Sequence, residues 1–153
     1  MNIPSVLQHA ISRQAQLLKK FIEFLESETD ALSQAPDPQT LSQLGLRKKE
    51  FASRLAELDE QRTEALLAAG SDDIDATLNL FCEHDPALQQ AVTHWRQLVR
   101  QARRINVRNG EILLALNQHN QKALQILQAQ HGTSLYNAQG RLAPAGQSPD
   151  TPG

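Results

Sequence analysis

PALQQAVTHWRQLVRQARRINVRNGEILLALNQHNQKALQILQAQH, residues 86–131, decides the fold. After Pro86 it holds no proline, and at 1.5 Å per residue its 46 residues make a helix of roughly 70 Å. Apolar or small positions step by four and three in alternation: Leu88, Val92, Trp95, Val99, Ala102, Asn106, Asn109, Leu113, Leu116, Asn120, Ala123 and Leu127. This is a coiled-coil seam, apolar at both ends and polar in its middle. Asparagine in such a seam weakens packing and selects register, because a misaligned partner leaves the amide unpaired. Asn106 and Asn109 share one turn and Gly110 follows them; since glycine is the poorest helix former after proline, this triplet reads as a register device or a polar notch.

Working outward, residues 4–34 repeat Leu7, Ile11, Leu18, Phe21, Leu25 and Leu32 in the same rhythm, interrupted by Gln14 and Glu28. A second row, Ala10, Leu17, Phe24 and Ala31, widens the stripe, which suits packing against more than one neighbour. Ala35-Pro36-Asp37-Pro38 is a turn, because each proline removes a donor and restricts the residue before it. Thr40 is the expected cap of a second helix whose face holds Leu41, Leu44, Phe51, Leu55, Leu58 and Ala65, with Lys48 and Arg62 interrupting it and Gly70 closing it. Ser71-Asp72-Asp73 starts a short segment through Ile74, Leu78 and Phe81 to about Cys82, and His84-Asp85-Pro86 opens the long helix. The expected fold is all-α: an elongated antiparallel helical bundle of three long helices plus one short connecting helix over residues 1–131, and a flexible tail over residues 132–153. The tail has four glycines and three prolines, yet it also carries Leu135, Tyr136 and Leu142, a candidate recognition segment over residues 135–142.

Composition narrows the function. The chain is 40% hydrophobic but only 4% aromatic, with a net charge of −2, so its interior is aliphatic and lean. A single cysteine excludes an internal disulfide and points to a reducing compartment. No leader is visible, and the longest aliphatic run, Ile112 to Leu116, is far short of the roughly 20 residues a bilayer span needs. The expectation is a soluble, cytoplasmic protein without membrane insertion. Charge is segregated: residues 1–85 carry a net −7 and residues 86–131 a net +5. Arg96, Arg100, Arg104 and Arg108, with Arg103 beside them, form a basic row for which intramolecular or solvated pairing is the leading expectation, ahead of a protein partner and of nucleic acid.

Catalytic chemistry finds little support. Cys82, His84 and His94 match no familiar zinc spacing, the Glu-x-x-His repeats of a di-iron bundle are absent, and no phosphate-binding glycine loop or nucleophile elbow occurs. No metal and no cofactor is expected. His94-Trp95-Arg96 only loosely approximates a phosphotransfer histidine, and a self-associating structural bundle or adaptor is the other alternative.

The later residues are more specific. Asn106-x-x-Asn109-Gly110-x-Ile112-Leu113-Leu114, Ala123-Leu124-x-x-Leu127 and Leu135-Tyr136-x-x-x-Gly140 together resemble the FlgN-type flagellar export chaperone family over about 35 residues. The resemblance implies a non-catalytic cytoplasmic chaperone for hook-associated proteins, which join hook to filament, that prevents premature assembly and delivers them to the cytoplasmic domain of the flagellar type III export gate. It places client binding in the C-terminal region, where Leu113, Leu116, Leu124 and Leu127 are the candidate residues. It assigns gate docking to Tyr136, with Gly140 in the matching position. The Gly/Pro tail beyond Leu142 departs from an amphipathic pattern. Independently, two hairpin helices of about 30 residues cannot cover the long helix along its length, so residues from about Ile112 to Gln130 are expected to keep apolar surface for a client helix, or for self-association when no client is present.

Overall fold

The computed structural model describes the backbone of residues 2–70 and 72–138 and side chains through Gln130 within that range. Among the described residues there are four helices and no strand: α1 Ile3–Leu32, α2 Pro38–Leu67, α3 Ile74–Glu83 and α4 Pro86–Ala138. The chain divides into two compact units, Met1–Gly110 and Glu111–Gly153.

Each helix starts on an Asn or Asp whose side chain takes up a backbone N–H that has no partner inside the helix. Asn2 accepts from Ser5 N at 2.9 Å, Asp73 from Ala76 N at 3.1 Å and Asp85 from Leu88 N at 3.1 Å. At α2 the cap is Asp37 and not Thr40, whose role is reversed: the Thr40 N–H donates to Asp37 Oδ1 at 2.7 Å. Pro38 occupies the first turn, where no N–H is needed, and the bonds from Thr40 hold the Asp37 carboxyl below its ordinary range. After α2, Gly70 adopts φ +83°, a left-handed conformation that costs a residue with a Cβ but not glycine.

In the first unit, α1, α2 and the first half of α4 form an up-down-up bundle. Leu7 and Ile11 of α1 meet Leu66 of α2, Leu78 and Cys82 of α3, and Leu88 and Val92 of α4 in one apolar cluster. A second cluster joins Ala15, Leu18, Ile22 and Leu25 of α1 to Leu98, Ala102 and Ile105 of α4. Trp95 packs against both. Phe21 and Phe24 pack tilted against Phe51 of α2 at 5.3 and 5.4 Å between ring centroids. Low numbers on α1 therefore meet low numbers on α4 and high numbers on α2, so α2 runs against the other two. α2 ends beside the start of α1, where α4 must begin, and α3 makes that turn.

Two expectations change. The seam of α4 was expected to continue through Val99 and Asn106, but Leu98 and Ile105 are buried while Asn106 is exposed. Sealing in an isoleucine contributes about 1.5–3 kcal/mol, whereas an unpaired buried amide costs about 1–3 kcal/mol, so the helix turns its aliphatic row inward. Secondly, α4 continues past His131 to Ala138. Gly132 sits in that helix, and one glycine costs only about 1 kcal/mol relative to alanine.

Leu25 is fully buried in the second cluster. Leu25→Ala is expected to lower the unfolding free energy by about 2–5 kcal/mol, while Leu114→Ala at an exposed site stays within about 0.5 kcal/mol. Urea denaturation followed by circular dichroism checks both.

Candidate functional site

Three of the polar residues that interrupt the apolar faces of the long helices, Glu28, Lys48 and Asn109, find one another. Asn109 is 1% exposed. Its Nδ2 donates to Leu25 O and to Glu28 Oε1, both at 2.9 Å, and its Oδ1 accepts from Thr29 Oγ1 at 2.7 Å. Glu28, itself buried, forms an ion pair with Lys48 of α2 at 2.8 Å. Every hydrogen-bonding group of the Asn109 amide is thus used. Near the middle of the bundle, Arg62 lies 4.5 Å over the Trp95 ring and pairs with Asp59. That cation–π contact lets a charged residue occupy a buried position on α2.

Of the expected polar notch, then, Asn109 is tied into the bundle and Asn106 faces solvent. Gly110 is helical and an added Cβ there meets nothing within 4 Å.

Asn109 is also the last fully buried residue of α4 among the described side chains. In the second unit, described from Glu111 to Gln130, Ile112 and Leu116 are half-buried and all others are exposed. Leu113 is 36% exposed, Leu124 54% and Leu127 50%. With Leu116, they follow spacings of 3, 8 and 3 residues, which keeps them on one side of the helix. Leu114 and Ile126 are exposed as well, at 58% each, and lie on other faces. The sequence reading missed them because a single seam was traced. Five large aliphatic side chains exposed within 15 residues are far from the normal scatter of surface leucines. Tyr136 lies on the helical backbone of α4, but its side chain falls outside the described residues, as does Gly140 altogether.

Other chemistry does not assemble. Among the described residues no three His, Cys, Asp or Glu side chains gather as a metal would require. Cys82 is buried, which pushes its thiol upward, against the pull of Arg96 and away from the reactive thiolate. His94 is exposed on α4, with no hydrogen-bonded partner among the described residues. No helix among the described residues is long and apolar enough to cross a membrane.

Asn109→Ala is expected to destabilise the bundle by about 1–3 kcal/mol, since Glu28 and Thr29 lose a buried partner. Asn106→Ala, one turn away and exposed, is expected to stay within about 0.5 kcal/mol. Thermal unfolding of the two variants side by side makes the comparison.

A family model described as FlgN protein matches residues 1–144, which covers the bundle, the exposed leucines and Tyr136. Comparison with curated proteins and with solved structures gave no significant match. Nearly the whole chain fits the family model, with an all-helical fold and an exposed aliphatic row beyond Asn109, and the chain belongs to the FlgN family of flagellar export chaperones.

Proposed function

We propose that this protein captures hook-associated proteins in the cytoplasm, keeps them from assembling early and hands them to the cytoplasmic domain of the flagellar export gate. It acts by binding, without catalysis or cofactor. The carrying observation is the row Leu113, Leu116, Leu124 and Leu127, which follows the last buried residue of α4 among the described side chains and is left largely in solvent. An amphipathic client helix laid along this row removes half-exposed leucines from water, a gain on the order of 1 kcal/mol for each, and adds its own apolar face. The client's assembly surface is occupied in the same step. The affinity stays moderate because association entropy opposes a short row, which suits a carrier that must release its client.

Tyr136 is the residue we assign to gate docking, on the strength of the family's Leu135-Tyr136-x-x-x-Gly140 pattern. Its place on α4, 9 residues beyond Leu127, keeps it distinct from the leucine row. Capture and delivery are then separable functions of one helix.

Co-expression with hook-associated proteins tests capture. The wild-type chain is expected to co-purify with a client, whereas Leu124→Asp/Leu127→Asp loses it at unchanged melting temperature, because those side chains contribute nothing to the bundle core. A doubly substituted chain that still holds its client would remove the row from the account. Tyr136→Ala is expected to retain client in the same assay and to reduce its secretion in a motile host; normal secretion would reject the docking role.

A further inference from the structure

The asparagine that aligns the helices is followed by glycine, and the pair has chemistry of its own. Asn109–Gly110 is the one Asn-Gly step in the sequence; the asparagines at positions 2, 79, 106, 117, 120 and 137 precede isoleucine, leucine, valine, glutamine, glutamine and alanine. A main-chain nitrogen that follows asparagine can close a ring onto the side-chain carbonyl carbon. Glycine has no Cβ to screen that nitrogen, and it leaves the backbone the widest choice of conformations in which the two atoms meet. Attack of Gly110 N on Asn109 Cγ forms the C–N bond of a cyclic imide and breaks the Cγ–Nδ2 bond, and the proton lost from Gly110 N leaves with the amide nitrogen as ammonia. Water then opens the imide. Entry at Cγ restores the peptide bond and yields aspartate, whereas entry at the main-chain carbonyl carbon yields isoaspartate, which adds a methylene to the backbone.

The folded bundle restrains both reacting groups. Asn109 and Gly110 lie within α4, whose ladder commits the Gly110 N–H to the carbonyl four residues earlier. The Asn109 amide is pinned from both sides: Leu25 O and Glu28 Oε1 hold Nδ2, and Thr29 Oγ1 holds Oδ1. Its carbon therefore cannot turn toward the nitrogen. Asn109 is buried while Gly110 beside it is exposed, so solvent is at hand and confinement of the side chain is what stops the reaction. All three restraining groups belong to α1. Separation of α4 from α1 at this level releases the amide in one step.

We propose that Asn109–Gly110 is a deamidation site that the folded bundle keeps closed and that opening of α4 from α1 converts irreversibly to aspartate or isoaspartate. The product does not fit the place the amide leaves. Aspartate at position 109 has no N–H to offer, so its carboxylate meets Leu25 O and the Glu28 carboxylate, the two acceptors that Nδ2 serves, and like charges at that distance repel. Lys48 is then one cation shared by two carboxylates. Isoaspartate lengthens the backbone inside α4 and breaks its ladder at the same level. Either way the polar layer that sets the register is lost, and a chain that has stayed open too long does not regain its alignment. Exposure alone would select Asn106, on the same helix and in solvent, but the branched Val107 screens the nitrogen that follows it. This inference stands apart from client capture, which uses residues 113–127.

Incubation of the full chain in mildly alkaline buffer, with and without urea, followed by tandem mass spectrometry of its peptides, tests the site. In urea, conversion at Asn109 is expected to outpace that at Asn106. In buffer it is expected to be slower by roughly tenfold or more, because only the open fraction of the chain reacts. Leu25→Ala loosens the level at which the amide is held and is expected to raise the rate in buffer toward the urea rate, leaving the urea rate unchanged. Gly110→Ala adds a Cβ that meets nothing within 4 Å; it is expected to keep the helical circular dichroism and to slow the reaction in urea several-fold. Asn109→Asp is expected to melt below the wild-type chain. The proposal is overturned by equal rates in buffer and urea, by conversion in urea no faster at Asn109 than at Asn106, or by a Leu25→Ala chain that reacts in buffer at the wild-type rate. An Asn109→Asp chain as stable as the wild type would equally overturn it, since conversion would then cost the fold nothing.

Discussion

The buried amide of Asn109 fixes where this bundle ends. Its three hydrogen bonds, to Leu25 O, Glu28 Oε1 and Thr29 Oγ1, are available at one height and one rotation of α4 against α1 only. Sliding α4 by a residue would break all three and leave the Asn109 amide buried without partners, at about 1–3 kcal/mol, although Glu28 would keep Lys48 and Leu25 O the Thr29 hydroxyl. The Glu28 carboxylate adds Lys48 of α2 to the same set, so one polar layer sets the register of all three long helices. A buried ionic group need not add net stability over an apolar replacement; its contribution here is alignment, which the interchangeable aliphatic contacts of the two clusters do not supply.

Because that layer is the last buried level of α4 among the described side chains, the helix has two kinds of surroundings for one kind of sequence. Up to Asn109 its aliphatic side chains are spent on the protein's own core, with Leu88, Val92, Leu98, Ala102 and Ile105 all buried. Past Gly110 the same kind of residue recurs at similar density and stays in water. Exposed leucine in a helix of high polar content, near glutamine, asparagine and lysine, keeps the protein dispersed while holding apolar contacts in reserve. Under the proposed function that reserve is the surface a client covers.

Much of the fold was legible from periodicity and capping. Four helices, the proline turn at residues 35–38, the stop at Gly70 and the start on Asp73 follow from residue types whose local energetics tertiary contacts seldom override. The rotation of α4 was not legible in the same way. Val99 with Asn106 and Leu98 with Ile105 are both defensible inward rows, and the choice rests on the two helices that α4 meets, a tertiary fact absent from its own spacing. Thr40 in place of Asp37 is a smaller misreading with a local cause: both side chains cap well, but the proline at position 38 commits the helix to begin there. The interruptions Glu28, Lys48 and Asn109 were visible as blemishes on three separate stripes. That they form one network needed the helices side by side. The leucine row was legible as surplus apolar length, whereas Leu114 and Ile126, off the traced seam, were not. Segregated charge was plain in the sequence, and of the intramolecular or solvated pairing expected of the arginines, Arg96 and Arg108 bond within the molecule while Arg100, Arg103 and Arg104 are solvated.

The central claim is that α4 buries its apolar face as far as Asn109 and keeps the face beyond it for a client. Hydrogen exchange along α4, with and without a bound hook-associated protein, tests this most directly. The account predicts strong protection of residues 88–109 in both states, and weak protection of residues 111–130 that rises by an order of magnitude or more on client binding, in line with the ordering of an exposed helix by its partner. Protection of residues 111–130 that is already high in the isolated monomer, or a client footprint confined to residues 3–105, would contradict it.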